Sequence, residues 1–200
     1  NFVIKKNKRL NFLEIIVVTN DRPSLFLDLI TVILSENLSV HEARIFTLDD
    51  GMVIDTFIVS YNYNKNFLAS EIKRKIDSLN KKFTDLSKGK TLPISYVFKN
   101  TKNKIIERNE INFDNKTSST YTVLEVITND KPGLLYDISK ILLKNKIVIS
   151  MAKISTNGDF VEDSFHIRNE FGMKVDNETF IKNLKSEILS SLTGVLKNVS

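Results

Sequence analysis

The chain has no cysteine and no tryptophan, and only three prolines and six glycines among its 200 residues. The absence of cysteine excludes disulfides and thiolate metal sites and fits a reducing compartment, so we expect a cytoplasmic protein. No apolar run approaches the ~18 residues of a membrane-spanning helix. Glu14 interrupts the first apolar stretch, which is not typical of a secretory leader. Because the chain begins with Asn1 rather than methionine, we expect a piece of a longer protein.

The charge of the chain is positive but not concentrated. The formal net charge is +5, which by itself suggests a nucleic-acid partner. The lysines are scattered along the sequence, however, and the densest group, residues 5–9, lies at one end. We therefore interpret the charge as solvated, and we expect neither nucleic acid nor a membrane as a partner.

The most informative feature is an internal repeat. Residues 19–28 (TNDRPSLFLD) return as residues 128–137 (TNDKPGLLYD), at a constant offset of 109 residues. The similarity continues from residues 43–45 to 152–154 and, after a one-residue slip, from 55–57 to 163–165. Because each copy has the length of a small domain, the repeat predicts two domains with the same fold.

Hydrophobic periodicity predicts the same order of elements in both copies. The expected elements of the first copy are strand 10–19, a helix from residue 25, strands 39–48 and 52–61, and helix 66–86. Those of the second copy are strand 121–128, helix 134–144, strands 148–156 and 160–167, and helix 177–192. The segments 49–51 (DDG) and 157–159 (NGD) are typical of hairpin turns.

This order predicts an α+β fold in which each copy is a ferredoxin-like βαββαβ unit, an antiparallel sheet with both helices on one face. The predicted domains are residues 10–116, including a connecting segment, and residues 120–200. The strand that closes the first sheet has two candidates, 94–98 and 110–113. In the second copy it would come from residues 195–196 or be missing.

The repeated turn has the chemistry of a clamp for an amino-acid zwitterion. A strand that ends in Asn-Asp and enters a helix through proline leaves backbone N–H groups free, and these donors suit a carboxylate. Asp21 and Asp130 supply the negative charge that an α-ammonium group requires. Gly133 permits close approach of the backbone to a ligand, whereas Ser24 adds a side chain at the same point and makes the first site the weaker candidate.

Several residues have a structural interpretation beside the functional one. Asp21 and Asp130 could simply cap their helices, an effect of about 1 kcal/mol. The tripeptides Ala-Arg-Ile (43–45) and Ala-Lys-Ile (152–154) could reflect the alternation of an edge strand. Asp55 and Asp163 are equivalent but isolated in their strands, and we interpret them as structural or interface residues.

The second copy of the turn, DKPGLL (130–135), resembles the Asp-Arg-Pro-Gly-Leu-Leu signature that opens ACT domains, the small-molecule-sensing modules of amino-acid metabolism. The ordered set of motifs is similar to the paired ACT domains that end the bifunctional PII uridylyltransferase/uridylyl-removing enzymes. This resemblance covers nearly the whole chain. It is carried in the first copy by residues 43–47, 50–52 and 54–57, and in the second by residues 113–115, 121–126, 130–137 and 171–175.

The resemblance implies a regulatory region without catalysis of its own. In that family the ACT pair senses glutamine and directs upstream nucleotidyltransferase and His-Asp phosphohydrolase domains, which add UMP to the PII signalling protein or remove it. The implied partners are therefore an amino-acid effector, the catalytic domains of a parent enzyme and, through them, PII, with a homodimer through the ACT sheets as a further expectation. No cofactor is expected in this chain, and the parent would use Mg²⁺. The implied ligand-binding residues are Asn20, Asp21, Arg22 and Pro23 in the first copy and Asn129, Asp130, Lys131, Pro132, Gly133, Leu134 and Leu135 in the second.

The residues themselves give no support to catalysis in this chain. No Gly-Ser dipeptide occurs, and neither His41 nor His166 has the neighbouring aspartate of a His-Asp metal site. We interpret both histidines as surface or hydrogen-bonded strand residues.

Two non-enzymatic alternatives stay open. An RNA-recognition motif shares the strand and helix order, but it needs a Gly-aromatic pattern that segments 52–57 and 160–165 lack. Each of these segments also places an acid where we would expect a phosphate. The second alternative is an interaction or dimerisation module that binds no ligand.

Overall fold

The computed structural model describes residues 1–6, 12–48, 50–61, 69–90, 108–129, 133–157 and 160–193, and the chain divides into two compact units, Asn1–Phe98 and Lys99–Ser200. The elements of the first unit are β1 (Phe2–Lys6), β2 (Phe12–Asn20), α1 (Leu25–Ser35), β3 (Leu38–Phe46), β4 (Met52–Tyr61) and α2 (Ala69–Ser87). Those of the second are β5 (Glu110–Asp114), β6 (Thr122–Asn129), α3 (Leu134–Lys144), β7 (Ile147–Lys153), β8 (Thr156–Asn157), β9 (Phe160–Asn169) and α4 (Glu178–Thr193).

The first unit is an antiparallel sheet covered by helices on one face. Its strands lie in the order β1-β2-β4-β3. Alternate residues of β2 are buried, as expected for a sheet with one covered face. Both helices lie on this face, because the ring of Phe26 on α1 stacks on Phe57 with centroids 6.2 Å apart, and Phe83 on α2 meets Phe2 at 5.6 Å.

The second unit repeats this arrangement. Its strands lie in the order β5-β6-β9-β7, again antiparallel, and the short β8 pairs with β9. The C-terminal end of α3 meets α4, where Glu187 accepts hydrogen bonds from Lys144 at 2.7 Å and Asn145 at 2.9 Å. No helix within the described ranges is long and apolar enough to cross a membrane.

The two cores are built from equivalent residues. In the first unit Phe57 lies on β4 between Ile15 on β2 and Ala43 on β3, and the side chains of all three are fully buried. The positions equivalent to these are Phe165, Leu124 and Ala152, which are also buried and have the same register. The small alanine on the neighbouring strand leaves room for the ring, so the same packing occurs in both units.

The predicted α+β, ferredoxin-like fold is confirmed, but in each unit the described edge strand precedes the first predicted strand in the chain instead of following the second helix. The edge position beside β2 belongs to β1, which precedes β2 in the chain, and the corresponding position beside β6 belongs to β5. The candidate 110–113 for the first sheet was therefore wrong, because Ile111 pairs with Val126 in the second unit. The candidates 94–98 and 195–196 lie outside the described residues. The described second unit thus includes a strand N-terminal to residue 120, where the predicted domain began.

Local interactions account for this connection in the second unit. The carboxylate of Asp114, at the end of β5, accepts N–H hydrogen bonds from Lys116 at 2.6 Å and Thr117 at 3.1 Å. Such an aspartate-initiated turn reverses the chain within a few residues. A hairpin also closes a shorter loop than a return from the far end of a helix, so its entropic cost is smaller.

Candidate functional site

The first candidate site is the turn at residues 20–24, between β2 and α1. The N–H of Asp21 donates to the carbonyl of Gly51 at 2.8 Å, and this bond ties the turn to the hairpin between β3 and β4. Gly51 has φ +80°, a left-handed conformation that glycine adopts without strain. Gly51 of the DDG segment therefore has two roles: it forms the hairpin turn, and its carbonyl accepts the N–H of Asp21.

The start of α1 has no side-chain cap in the described part of the chain. Its N-cap residue is Ser24, and no side chain within the described ranges makes a capping hydrogen bond there. The N–H of Leu25 donates to the carbonyl of Arg22 at 3.1 Å. The capping interpretation of Asp21 was therefore wrong, and first-turn amides of α1 stay available to an outside acceptor.

Ser24 has the same backbone conformation as its counterpart in the second copy. Its φ is +66°, against +83° for Gly133, and Gly133 is likewise the N-cap residue of its helix, α3. The Ser24 hydroxyl donates to Asp28 at 3.2 Å, and the guanidinium of Arg22 lies 2.7 Å from the same carboxylate. We call Arg22, Ser24 and Asp28 the Arg22 cluster. The serine thus directs its side chain to Asp28 instead of changing the path of the backbone.

The other predicted residues of the first turn are accessible. Asn20, Asp21 and Pro23 are exposed. Arg22 is exposed as well, but its charge is matched by Asp28 within the Arg22 cluster. Asp21 is therefore the residue of this turn best placed to meet a cation.

The second candidate site is described in part. Asp130, Lys131 and Pro132 lie outside the described residues. Leu134 and Leu135 are 4% and 8% exposed, so their side chains belong to the core and only their backbone can serve a ligand. Among the described residues the Oδ1 atom of Asn129 is buried and has no hydrogen-bond partner. An amide oxygen in that state favours a donor from a ligand or a water molecule.

Sequence reasoning missed the burial of Asp55 beside the first turn. This residue is 1% exposed and points to the helix-covered face of β4, between Val53 and Phe57. Burial raises the pKa of its carboxyl to about 7; the N–H of Phe46 donates to the carboxylate and opposes the shift, and the charge of Asp21 adds to it. A signal was present in the sequence, because the alternation of β4 puts an acid among positions that are otherwise apolar.

The equivalent acid Asp163 is buried on the same face of the second sheet. Its Oδ1 accepts the N–H of Ser155 at 3.4 Å. Ser155 and Phe46 occupy equivalent positions of the repeat, at or just after the ends of β7 and β3. Both acids therefore accept a backbone N–H at the same place in their units. Of the two interpretations of Asp55 and Asp163, structural or interface residue, the structural one agrees with their burial. Neither acid faces the uncovered side of its sheet.

The histidines lie away from both turns. His41 Nε2 is 2.5 Å from the hydroxyl of Ser60, and its ring meets Phe12 edge-on at 5.2 Å. His166 packs against Tyr121 with centroids 5.7 Å apart, and its Nδ1 is buried without a partner among the described residues. In the part of the chain that the structure describes, no three His, Cys, Asp or Glu residues are grouped so as to hold a metal ion.

Comparison with known proteins first gives the class. Residues 110–199 match a family model described as "ACR9-like, ACT-like domain", so the second unit is ACT-like. The chain is also similar to bifunctional uridylyltransferase/uridylyl-removing enzymes: it is 29% identical to that of Rhodospirillum rubrum and 30% identical to that of Azospirillum brasilense, over 90% of its length in both cases. The predicted resemblance is confirmed at this level.

The chain spans about a fifth of the length of these curated relatives, 20% of each. Among solved structures, a protein from Galdieria sulphuraria is 15% identical with a TM-score of 0.29, and the match covers 93% of both chains.

The left-handed residue of each turn is open to a direct test. Gly133→Ala is expected to cost about 1–2 kcal/mol, because a Cβ at φ +83° meets the following carbonyl. Ser24→Gly is expected to change stability by less than about 1 kcal/mol, since the relief of strain offsets the lost hydrogen bond to Asp28. Urea denaturation measures both variants. A costly Ser24→Gly would show that the Arg22 cluster stabilises the turn more than we infer.

Proposed function

We propose that the chain is a regulatory tandem ACT region that binds an amino acid, glutamine in the first instance, at the turns 20–24 and 129–135. It is proposed to act in the cytoplasm and to control the uridylyltransferase and uridylyl-removing activities of a longer parent protein on the PII nitrogen-regulatory protein. The chain itself has no catalytic role in this proposal.

One observation carries the amino-acid part of the proposal. Both helices start at a left-handed residue without a side-chain cap within the described ranges, and in each copy the sequence Asn-Asp-basic-Pro precedes that residue. The amides and the helix dipole favour a carboxylate, and the aspartate favours an ammonium group. In the second turn, Asn129 would recognise the side-chain amide of glutamine, because its buried oxygen needs a donor.

The regulatory part follows from linkage. A ligand shifts an equilibrium between two arrangements of a protein only by the difference between its affinities for them. A glutamine bound at these turns would therefore bias the parent toward the arrangement that binds it better. The similarity to uridylyltransferase/uridylyl-removing enzymes supports these activities as the regulated ones.

Calorimetry and thermal shift test the amino-acid proposal. Glutamine at about 100 times its dissociation constant is expected to add ~2.7 kcal/mol of stability, and Asp21→Ala and Asp130→Ala are each expected to abolish one site. Asp176→Ala is the matched control, because this exposed acid follows Val175, which bonds to Thr122 at the opposite end of β6 from Asn129. If no amino acid changes the midpoint, the proposal is wrong.

A second candidate function is an interaction module that binds no ligand. Phe171 and Met173 are 76% and 59% exposed. They lie on a braced turn, in which Asn169 Oδ1 accepts the N–H of both residues at 3.0 Å. Exposed apolar side chains on a hydrogen-bonded turn suit a protein interface, such as that of a homodimer. Sedimentation of the wild type and of Phe171→Ser would decide whether it mediates self-association.

The RNA alternative has less support. The expected repulsion of phosphates by Asp55 and Asp163 was wrong, because both acids are buried beneath the helices and cannot act on the uncovered face. That face of β4 instead carries Ile54, Thr56 and Ile58, which alternate with the buried residues. None of these three offers an aromatic ring on which a base could stack.

A further inference from the structure

Asp55 lies beneath the start of α1. The ring of Phe26, in the first turn of α1, stacks on Phe57, the next residue of β4 on the same face. Helix α1 starts near the end of β4 that carries Met52, because Met52 pairs with Asn20, the last residue of β2. Asp55 is therefore located between the stacked rings and the turn at residues 20–24.

One oxygen of Asp55 has no partner among the residues that the structure describes. Its Oδ1 is buried without a hydrogen bond in the described part of the chain, although the N–H of Phe46 donates to the carboxylate. A buried ionised carboxylate needs either a cation or further donors, and otherwise it takes up a proton. The bond from Phe46 explains why an acid is tolerated here, but not why its second oxygen stays unpaired.

The charges around Asp55 leave it in need of a cation. From the β2–α1 turn it faces Asp21, whose negative charge disfavours its ionisation. Arg22, in the same turn, is paired with Asp28 at 2.7 Å. On β3, Arg44 is paired with Glu42 and exposed on the uncovered face of the sheet. The guanidinium groups of Arg22 and Arg44 are thus both paired with acids other than Asp55.

We propose that Asp55 is a second acidic residue of the first site, which selects ligands with an ammonium group. The inference rests on the proposed amino-acid binding. When an ammonium group binds beside Asp21, the O–H bond of the Asp55 carboxylic acid breaks, its proton passes to solvent, and the new carboxylate stabilises the ligand's charge. The ammonium group keeps its own protons. The first site therefore binds its ligand more tightly as the pH rises through neutrality.

The proton release follows from the state of Asp55 before binding. Its carboxyl has a pKa of about 7, so the acid is largely protonated at pH 6 and largely ionised at pH 8. If the bound ligand holds Asp55 ionised throughout this range, the affinity of the first site is expected to be about ten-fold higher at pH 8 than at pH 6.

Calorimetry of glutamine binding to Asp130→Ala, which isolates the first site, tests the proposal. Titrations at pH 6 in two buffers of different ionisation enthalpy give the number of protons released, which is expected to approach one per ligand. Adding Asp55→Asn is expected to reduce both the proton release and the pH dependence of affinity to near zero. Asp163→Asn, the equivalent change in the second unit, is the control and leaves both unchanged. The 2-hydroxy acid analogue of glutamine, which lacks the ammonium group, is expected to bind at least ten-fold more weakly.

The outcomes separate this inference from the proposed function. Glutamine binding without proton release, or with the same pH dependence in Asp55→Asn, overturns the role of Asp55 and leaves the amino-acid proposal standing. No glutamine binding to Asp130→Ala at either pH overturns the inference alone if the wild type still binds glutamine, and it overturns both if the wild type does not. A carboxyl ¹³C titration of the ligand-free protein gives an independent decision, since a midpoint for Asp55 near 4 would also overturn the inference.

Discussion

Phe57→Ala is expected to remove about 3–5 kcal/mol from the stability of the first unit, the usual cost of truncating a buried phenylalanine. The ring is fully buried, lies between Ile15 and Ala43 in the sheet, and carries Phe26 of α1 on its face. Its loss leaves a cavity that the small Ala43 does not fill, and it removes the contact that seats α1 on the sheet. Since natural domains have only about 5–15 kcal/mol of net stability, this is a large fraction of the total.

Hydrogen exchange measured peptide by peptide distinguishes the two units. Phe57→Ala is expected to reduce protection within residues 12–61, and Phe165→Ala, the equivalent change, within residues 122–169. Phe171→Ala is the control, because this ring is 76% exposed and its truncation is expected to change stability by less than about 0.5 kcal/mol. Loss of protection in the second unit of Phe57→Ala would contradict the division of the chain into two separately stabilised cores.

The repeat and the core could be predicted because both depend on short, local sequence patterns. The alternation in β2 and the helical spacing in α1 each lie within a dozen residues, and the structure forms these elements close to their predicted bounds. The turn at residues 20–24 also lies where the sequence predicts it, between the end of β2 and the start of α1. Duplication strengthened every one of these assignments, because each pattern occurs twice at the same offset.

The edge strands could not be predicted in the same way. β1 and β5 have five residues each, and exposed or half-buried positions dominate their burial patterns. A strand so short, with one edge free, has little hydrophobic signal of its own. Its place depends on pairing with a partner strand, which a local pattern does not encode. A ferredoxin-like βαββαβ unit has its closing strand after the second helix, and this is why the sequence predicts the strand there.

The details of the first turn depended on conformation rather than composition. Arg22 and Asp28 are six residues apart and form an ion pair, and Ser24 between them has a left-handed conformation. This backbone state is uncommon outside glycine, so nothing in the residue type indicated it. The interaction of Asp21 with Asp55 is likewise invisible in sequence, since it joins a turn to the middle of a strand more than thirty residues away.

The burial of Asp55 makes the stability of the first unit depend on pH in the direction opposite to that caused by most acids. The pKa of this carboxyl is about 7 in the folded unit, against an ordinary value of 3.8 for an aspartate, so the folded state holds the proton more tightly than the unfolded state. The free energy of unfolding is then highest below pH 4 with respect to this group, and it falls as the pH rises toward and through 7. The difference of about three between the two pKa values corresponds to roughly 4 kcal/mol.

Asp55→Asn is expected to remove this fall in the free energy of unfolding at rising pH. The amide oxygen can still accept the N–H of Phe46, while the site no longer has a charge to bury. Urea denaturation followed by hydrogen exchange between pH 4.5 and 8.5 is expected to show a falling curve for the first unit of the wild type and a nearly flat one for the variant, which is the more stable protein at pH 8. Asp176→Asn, at an exposed position, is the control and follows the wild type. If Asp55→Asn keeps the wild-type slope, the carboxyl is ionised in the folded unit at neutral pH, and an undetected partner must satisfy its second oxygen.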